Sequence, residues 1–316
     1  MGDGVALVAD IGRQSVRFGL TGGEEGTDPR EQQRFFNADH PTFTSALITY
    51  LTRVGLRDAR LPSALAVAGP VRGDLINLTG SRWYISLAGV EAVLRERPIA
   101  LNECSANALA LTRLPQAAFT PLSGPPPKPP SPQGNYAVVG IGTGLGVSAL
   151  IGADGRLVPV QSEAGHIAFA PQTAEEERFA AFCRSRGMLV EVETLLSAGG
   201  LLLAYEALSG GKRLRAPEDV TRNVGRDPIC TDVVRMFAQH LGAFVGDLAL
   251  TFDAWDGVFL TGAIARALQV DLAGPCFRKR MEARIAFRRP LSEVPVALVN
   301  RNDLELIGAA AALRNA

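Results

Sequence analysis

The order of apolar and polar positions along the chain predicts an α/β protein. Residues 5–9 form a continuous apolar run, followed by a turn at Asp10-Ile11-Gly12-Arg13-Gln14 and a second strand over Ser15–Thr21. Such runs suit strands buried on both faces. Phe43, Leu47, Ile48 and Leu51 recur at helical spacing within residues 41–54. Short apolar runs at 64–68 and 99–101 read as strands, and 83–94 and 103–114 as helices. A proline-rich segment, Gly124 to Gly134, then interrupts the pattern. Consecutive prolines cannot join a helix or a central strand, so it reads as a surface loop. A docking segment for a proline-reading partner is the weaker alternative.

Beyond it the opening theme returns. An apolar strand over residues 136–141 meets a Gly-rich turn, and a second strand runs over 147–151. The chain thus writes strand, tight turn, strand twice, about 130 residues apart, which suggests two related halves. Residues 173–251 read as mainly helical. Gly242 and Gly246 lie four apart in the last of these helices, a spacing that costs helix stability and permits close approach of another backbone. A buried strand at 257–260, a final strand at 294–299 and an Ala-rich terminal helix at 303–313 complete the pattern.

Composition narrows the function. A chain of 316 residues exceeds what one core usually holds, so two domains are expected. Lys plus Arg number 32 and Asp plus Glu number 32. That balance leaves no electrostatic footprint for nucleic acid or an anionic membrane. The four cysteines are scattered without a C-x-x-C pair, which argues against a zinc site or a disulfide framework and fits a reducing, cytoplasmic setting. The opening apolar run meets Asp10 at once, unlike a signal peptide, and no apolar stretch reaches the roughly eighteen residues of a membrane helix.

Several residues could carry chemistry. Gly142-Thr143-Gly144-Leu145-Gly146 follows a strand, and glycines there let backbone N–H groups approach an anion. A dinucleotide fingerprint is excluded, because Leu145 or Val147 stands where its third glycine belongs. A P-loop is excluded at Gly211-Lys212, which has Glu206 and Arg213 at two defining positions. A ligand-free hairpin turn remains equally open. Asp10 can hold a hydrated magnesium ion or simply close a turn. Asn102-Glu103 lies just past a strand, where α/β sheets bind ligands, and Asn102 is also a good helix N-cap. Glu163 and His166 stand three apart, while Glu191 and Glu193 read most simply as solvent-exposed.

Taken in order, Asp-Ile-Gly, Asn-Glu, Gly-Thr-Gly-Leu-Gly, Glu-Ala-Gly-His and Val-Phe-Leu-Thr-Gly-Ala resemble the bacterial glucokinase family, from about Ala6 to Leu313. The absence of a zinc-binding cysteine cluster sets the chain apart from the related repressor–kinase sugar kinases. The resemblance implies a two-domain α/β actin-like ATPase (ribonuclease H-like) fold with an interdomain cleft, residues 1–112 plus 301–316 forming the small domain and 113–300 the large one. It implies ATP and Mg²⁺ as cofactors, a hexose, most simply glucose, as substrate, and a glycolytic kinase that forms a homodimer. Asn102, Glu103, Glu163, His166 and Glu193 would bind the sugar, with Glu103 as catalytic base. Asp10, Gly12, Gly142, Thr143, Gly144, Gly146, Thr261 and Gly262 would bind nucleotide, with Asp10 also on the metal. Three departures stand out. The first phosphate loop, usually Asp-x-Gly-Gly-Thr-Asn, reads Asp10-Ile11-Gly12-Arg13-Gln14-Ser15. The family's Thr-Asn-x-x-Trp reads Thr79-Gly80-Ser81-Arg82-Trp83, and its catalytic aspartate is Glu103. A non-catalytic sugar-binding regulator and a kinase for another hexose remain alternatives.

Overall fold

The computed structural model describes residues 4–22, 28–78 and 81–315. Strands β1 to β7 are Ala6–Ile11, Ser15–Thr21, Arg30–Phe36, Ser63–Val67, Leu75–Asn77, Tyr84–Ser86 and Ile99–Asn102. Strands β8 to β13 are Phe119–Ser123, Asn135–Ile141, Leu145–Ala153, Arg156–Ser162, Gly257–Thr261 and Val296–Val299. Helices α1 to α3 are Phe43–Arg53, Leu87–Leu94 and Glu103–Ala110. Helices α4 to α8 are Ala174–Ser185, Val192–Leu195, Ala198–Leu208, Pro217–Thr221 and Pro228–Thr251. Helices α9 to α13 are Ala263–Ala267, Gln269–Leu272, Pro275–Met281, Arg288–Glu293 and Leu304–Asn315. The chain divides into two compact units, Met1–Leu114 with Asp303–Ala316, and Pro115–Asn302.

The first unit is built on a sheet of order β3-β2-β1-β4-β7. β1 pairs antiparallel with β2 and parallel with β4, which pairs parallel with β7. Every residue of β4 is buried, as expected for a central parallel strand. On one side Phe18, Phe43, Tyr50 and Trp83 form an aromatic core, Phe18 stacking on Tyr50 with centroids 5.1 Å apart. On another, Val8 and Ala64 pack against Leu306 and Ala309 of α13. Gly308 lets α13 also pack closely on α3, since a Cβ there would collide with the Ala106 carbonyl. The expected helix at 83–94 is shorter than its sequence pattern: Tyr84–Ser86 pairs as β6 with β5, and α2 starts only after the Ser86 N-cap.

The second unit has the order β11-β10-β9-β12-β13-β8. Leaving out the edge strand β8, its pairings repeat those of the first sheet: two antiparallel steps, then two parallel ones. The duplication suggested by the two hairpins therefore extends through five strands. Helices α4, α6 and α8 share its core, with Phe179, Leu201, Phe237 and Leu241 fully buried. Thr173 opens α4 with a reciprocal capping box to Glu176. The glycines of α8 act as the sequence suggests. A Cβ at Gly242 would collide with the Phe277 carbonyl, and one at Gly246 would lie 2.7 Å from that of Met281, so α11 packs directly on the α8 backbone.

Candidate active site

In the second unit the β9–β10 hairpin closes with Ile141 opposite Leu145, leaving Gly142-Thr143-Gly144 as its turn. The Gly142 amide donates to the Gly144 carbonyl at 3.0 Å, and the Gly142 carbonyl accepts from the Ala198 amide at 2.8 Å. Among the described residues the amides of Thr143 and Gly144 have no hydrogen-bond partner. Glu193, at the start of α5, accepts the Leu145 amide on Oε2 at 2.6 Å. An ideal Cβ on Gly144 would lie 2.7 Å from that oxygen. Glycine is required here for space, so that a carboxylate can clasp the turn from behind.

The same strand end gathers the other candidates of this unit. After β11 a single 3-10 turn, Ala164–His166, carries Gly165, where a Cβ would strike the Leu145 carbonyl. Residues 167–169 zip against 190–192: Phe169 donates to the Val190 carbonyl and Val192 to that of Ile167, each at 3.0 Å. This pairing brings Glu191 Oε2 to 2.8 Å from His166 Nδ1. The bond to Glu191 raises the His166 pKa above its ordinary value, burial opposes it, and the charges of Glu193, Glu191 and Glu163 reinforce it. The simple solvent exposure expected for Glu191 and Glu193 is thus replaced by two defined contacts. Glu191 carries no local sequence signal that assigns it to the site, since its partner His166 lies 25 residues away. Thr261, opposite Gly140 in the ladder, is buried, and Gly262 is needed both for its φ of +97° and because a Cβ would collide with the Ile141 carbonyl. Gly142–Gly146, Glu163–His166, Glu191–Glu193 and Thr261–Gly262 therefore adjoin one another.

In the first unit Asp10 does not lie in the turn. It is the fifth residue of β1, opposite Arg17, and the turn is confined to residues 12–14, with the Gly12 amide donating to the Ser15 carbonyl at 2.9 Å. Continued ladder pairing carries the strand past the apolar run that marked it in the sequence. Asn37, which carried no sequence signal, donates from Nδ2 to the Gly12 and Arg13 carbonyls, each at 3.1 Å. Arg13 and Gln14 are exposed on a concavity of about 910 Å³ that Phe36, His40, Arg82 and Trp83 also line. Thr79 and Gly80 lie outside the described residues. Asn102 is the N-cap of α3: Oδ1 accepts the Cys104 amide at 2.8 Å and Nδ2 donates to the Gly69 carbonyl at 3.1 Å. Glu103 follows, half-buried, as the first residue of the helix. Ile11, Val67 and Asn102 stand in register across β1, β4 and β7, so Gly12 and Glu103 leave the same sheet end two strands apart, about 10 Å.

Arg17 Nη2 lies 3.1 Å from Asp10 Oδ2 and 3.5 Å from Glu305 Oε2. Burial lifts both carboxyls above the usual range, and Arg17 opposes the lift on each. Asp10 offers a single hard oxygen donor. Among the described residues no group of three His, Cys, Asp or Glu is placed to hold a metal ion. Magnesium is commonly bound by one or two carboxylates together with waters and substrate phosphates, and Asp10 could supply one such carboxylate.

The glucokinase family model matches residues 7–316. The chain belongs to the glucokinase family. It is 34% identical to a glucokinase of Nitrobacter hamburgensis over 96% of this chain and 95% of that protein. It is also 34% identical to a bifunctional protein of Burkholderia lata, over 98% of this chain but only 49% of that protein, so it spans about half the length of that relative. Among solved structures, a glucokinase from an Antarctic psychrotroph superposes with a TM-score of 0.86 at 27% identity, covering all of both chains. The fold is that of the two-domain actin-like ATPases, as the resemblance implied.

Proposed function

We propose that this family member is an ATP-dependent hexose kinase acting on the 6-hydroxyl of glucose. The observation that carries the reading is the assembly around Leu145: two turn amides without a partner among the described residues, beside a Glu/His group fixed by backbone pairing. Amides of Thr143 and Gly144 suit the oxygens of a transferring phosphoryl group. Glu163 and His166 suit sugar hydroxyls, which both give and take hydrogen bonds. Asn102 and Glu193 spend part of their bonding on the backbone, which fixes their orientation toward any ligand. Glu103 would accept the 6-hydroxyl proton as the oxygen attacks the γ-phosphorus and ADP leaves. Asp10 would hold Mg²⁺, whose charge offsets that of the phosphates. A cytoplasmic glycolytic role and a homodimer belong to the same proposal. No described helix is long and apolar enough to cross a membrane.

A coupled kinase assay over a panel of hexoses, with calorimetric titration of glucose and ATP, tests the reading. Glu103→Gln keeps size and removes the base, so turnover should fall by about 10²–10⁴-fold with sugar affinity retained. Undiminished turnover would refute Glu103 as the base. The altered first turn and Glu103 also favour a second reading, a sugar-binding regulator, which predicts glucose binding with no turnover in the parent protein.

A further inference from the structure

Asp10 shares its counter-ion. Arg17, with 14% of its side chain exposed, bridges Asp10 on β1 and Glu305 on α13, each 26% exposed. Glu305 also takes a hydrogen bond from the side chain of Asn107 on α3. The close α13–α3 packing at Gly308 brings it there. An arginine paired with one carboxylate would cancel its charge and leave little to attract a dication. Glu305 places a second carboxylate on the Arg17 guanidinium, so Asp10 is not its sole acidic partner. Replacing Glu305 by a neutral residue would remove one acidic group from this shared guanidinium. In a half-buried setting that difference weighs more than it would in water.

We propose that Glu305 is a positioning residue for the metal–nucleotide complex: by drawing on Arg17 it keeps the Asp10 carboxylate available to Mg²⁺ bound with ATP. The inference rests on the reading of Asp10 as the metal-binding carboxylate. It is tested on the full chain by calorimetric titration of ATP with Mg²⁺ and, separately, with EDTA. Glu305→Gln, which keeps size and loses charge, should weaken Mg²⁺·ATP binding by roughly tenfold or more, the scale of one added charge a few ångströms away. Metal-free ATP should bind as before or more tightly, and glucose affinity should not change. Glu305→Asp keeps the charge and should retain most of the Mg²⁺ effect. Equal losses with and without Mg²⁺, or no loss in either, would overturn the proposal. Asp10→Asn separates the two levels. If it leaves the Mg²⁺ dependence intact, the reading of Asp10 fails. If it abolishes the dependence while Glu305→Gln does not, only the role of Glu305 fails.

Discussion

The β1–β2 and β9–β10 turns occupy equivalent places in two sheets of matching strand order, yet they are held differently. In the first unit the clasp is a neutral amide: Asn37 donates to two turn carbonyls. In the second it is a carboxylate: Glu193 accepts the amide of Leu145, at the mouth of the turn. The two turns also differ in what they present. Gly142-Thr143-Gly144 offers backbone amides with little side chain in the way. Gly12-Arg13-Gln14 offers two long exposed side chains. On the proposed reading, one duplicated hairpin would cradle phosphate with its backbone, while the other would reach phosphate chiefly through a guanidinium. Nucleotide affinity should therefore be more sensitive to the second turn.

The sharpest way to break this contrast is Gly144→Val. Its Cβ would lie 2.7 Å from Glu193 Oε2 and drive the carboxylate off the Leu145 amide. Losing a hydrogen bond to a charged group costs roughly 1.5–3 kcal/mol, so ATP affinity should fall by about ten- to a hundredfold in calorimetric titration. ATP binding at parental strength would show that the second turn is a structural hairpin only.

Arg13→Gly restores the family's glycine in the first turn and should have a smaller effect. Arg13 has no ion-pair partner among the described residues and is exposed, so any grip on phosphate is screened by water. We expect ATP to bind about fivefold more weakly, about 1 kcal/mol. Tighter binding would mean that the arginine obstructs the nucleotide.

What could be read from the sequence divides along the same line. Both hairpins were legible because apolar runs meet glycine turns, and the α8 glycines because their spacing has one common cause. The edge strand β3 was not, because Arg30–Phe36 is largely polar and gains its strand geometry from pairing with β2. The clasps were also hidden. Asn37 lies 25 residues from Gly12, Glu191 lies 25 from His166, and Glu305 lies 288 from Arg17. Only folding brings such groups together, so no local pattern announces them. Motif resemblance named Glu193 as a sugar ligand, but nothing in the motif indicated its bond to the Leu145 amide.

The finest test uses the charge difference between the clasps. Asn37 has no proton to lose, whereas the carboxylates beside the second turn act on His166. The bond to Glu191 is the main cause of its raised pKa, with burial opposing it and the charges of Glu193 and Glu163 adding to it. A raised folded-state pKa means that the His166–Glu191 pair contributes fully below the ordinary value of 6.5 and is lost as pH climbs through the higher folded value. Glu191→Gln removes the main cause but leaves the other two carboxylates, so the His166 midpoint should fall toward 6.5 in an NMR titration. With Nδ1 toward Glu191, a protonated imidazole also donates from Nε2. Glucose KM in the variant should then rise more above pH 6.5 than well below it, where His166 is protonated in both proteins. An unchanged His166 midpoint in the variant would mean that Glu191 orients the ring without setting its charge. The two turns would then differ in geometry but not in their response to pH.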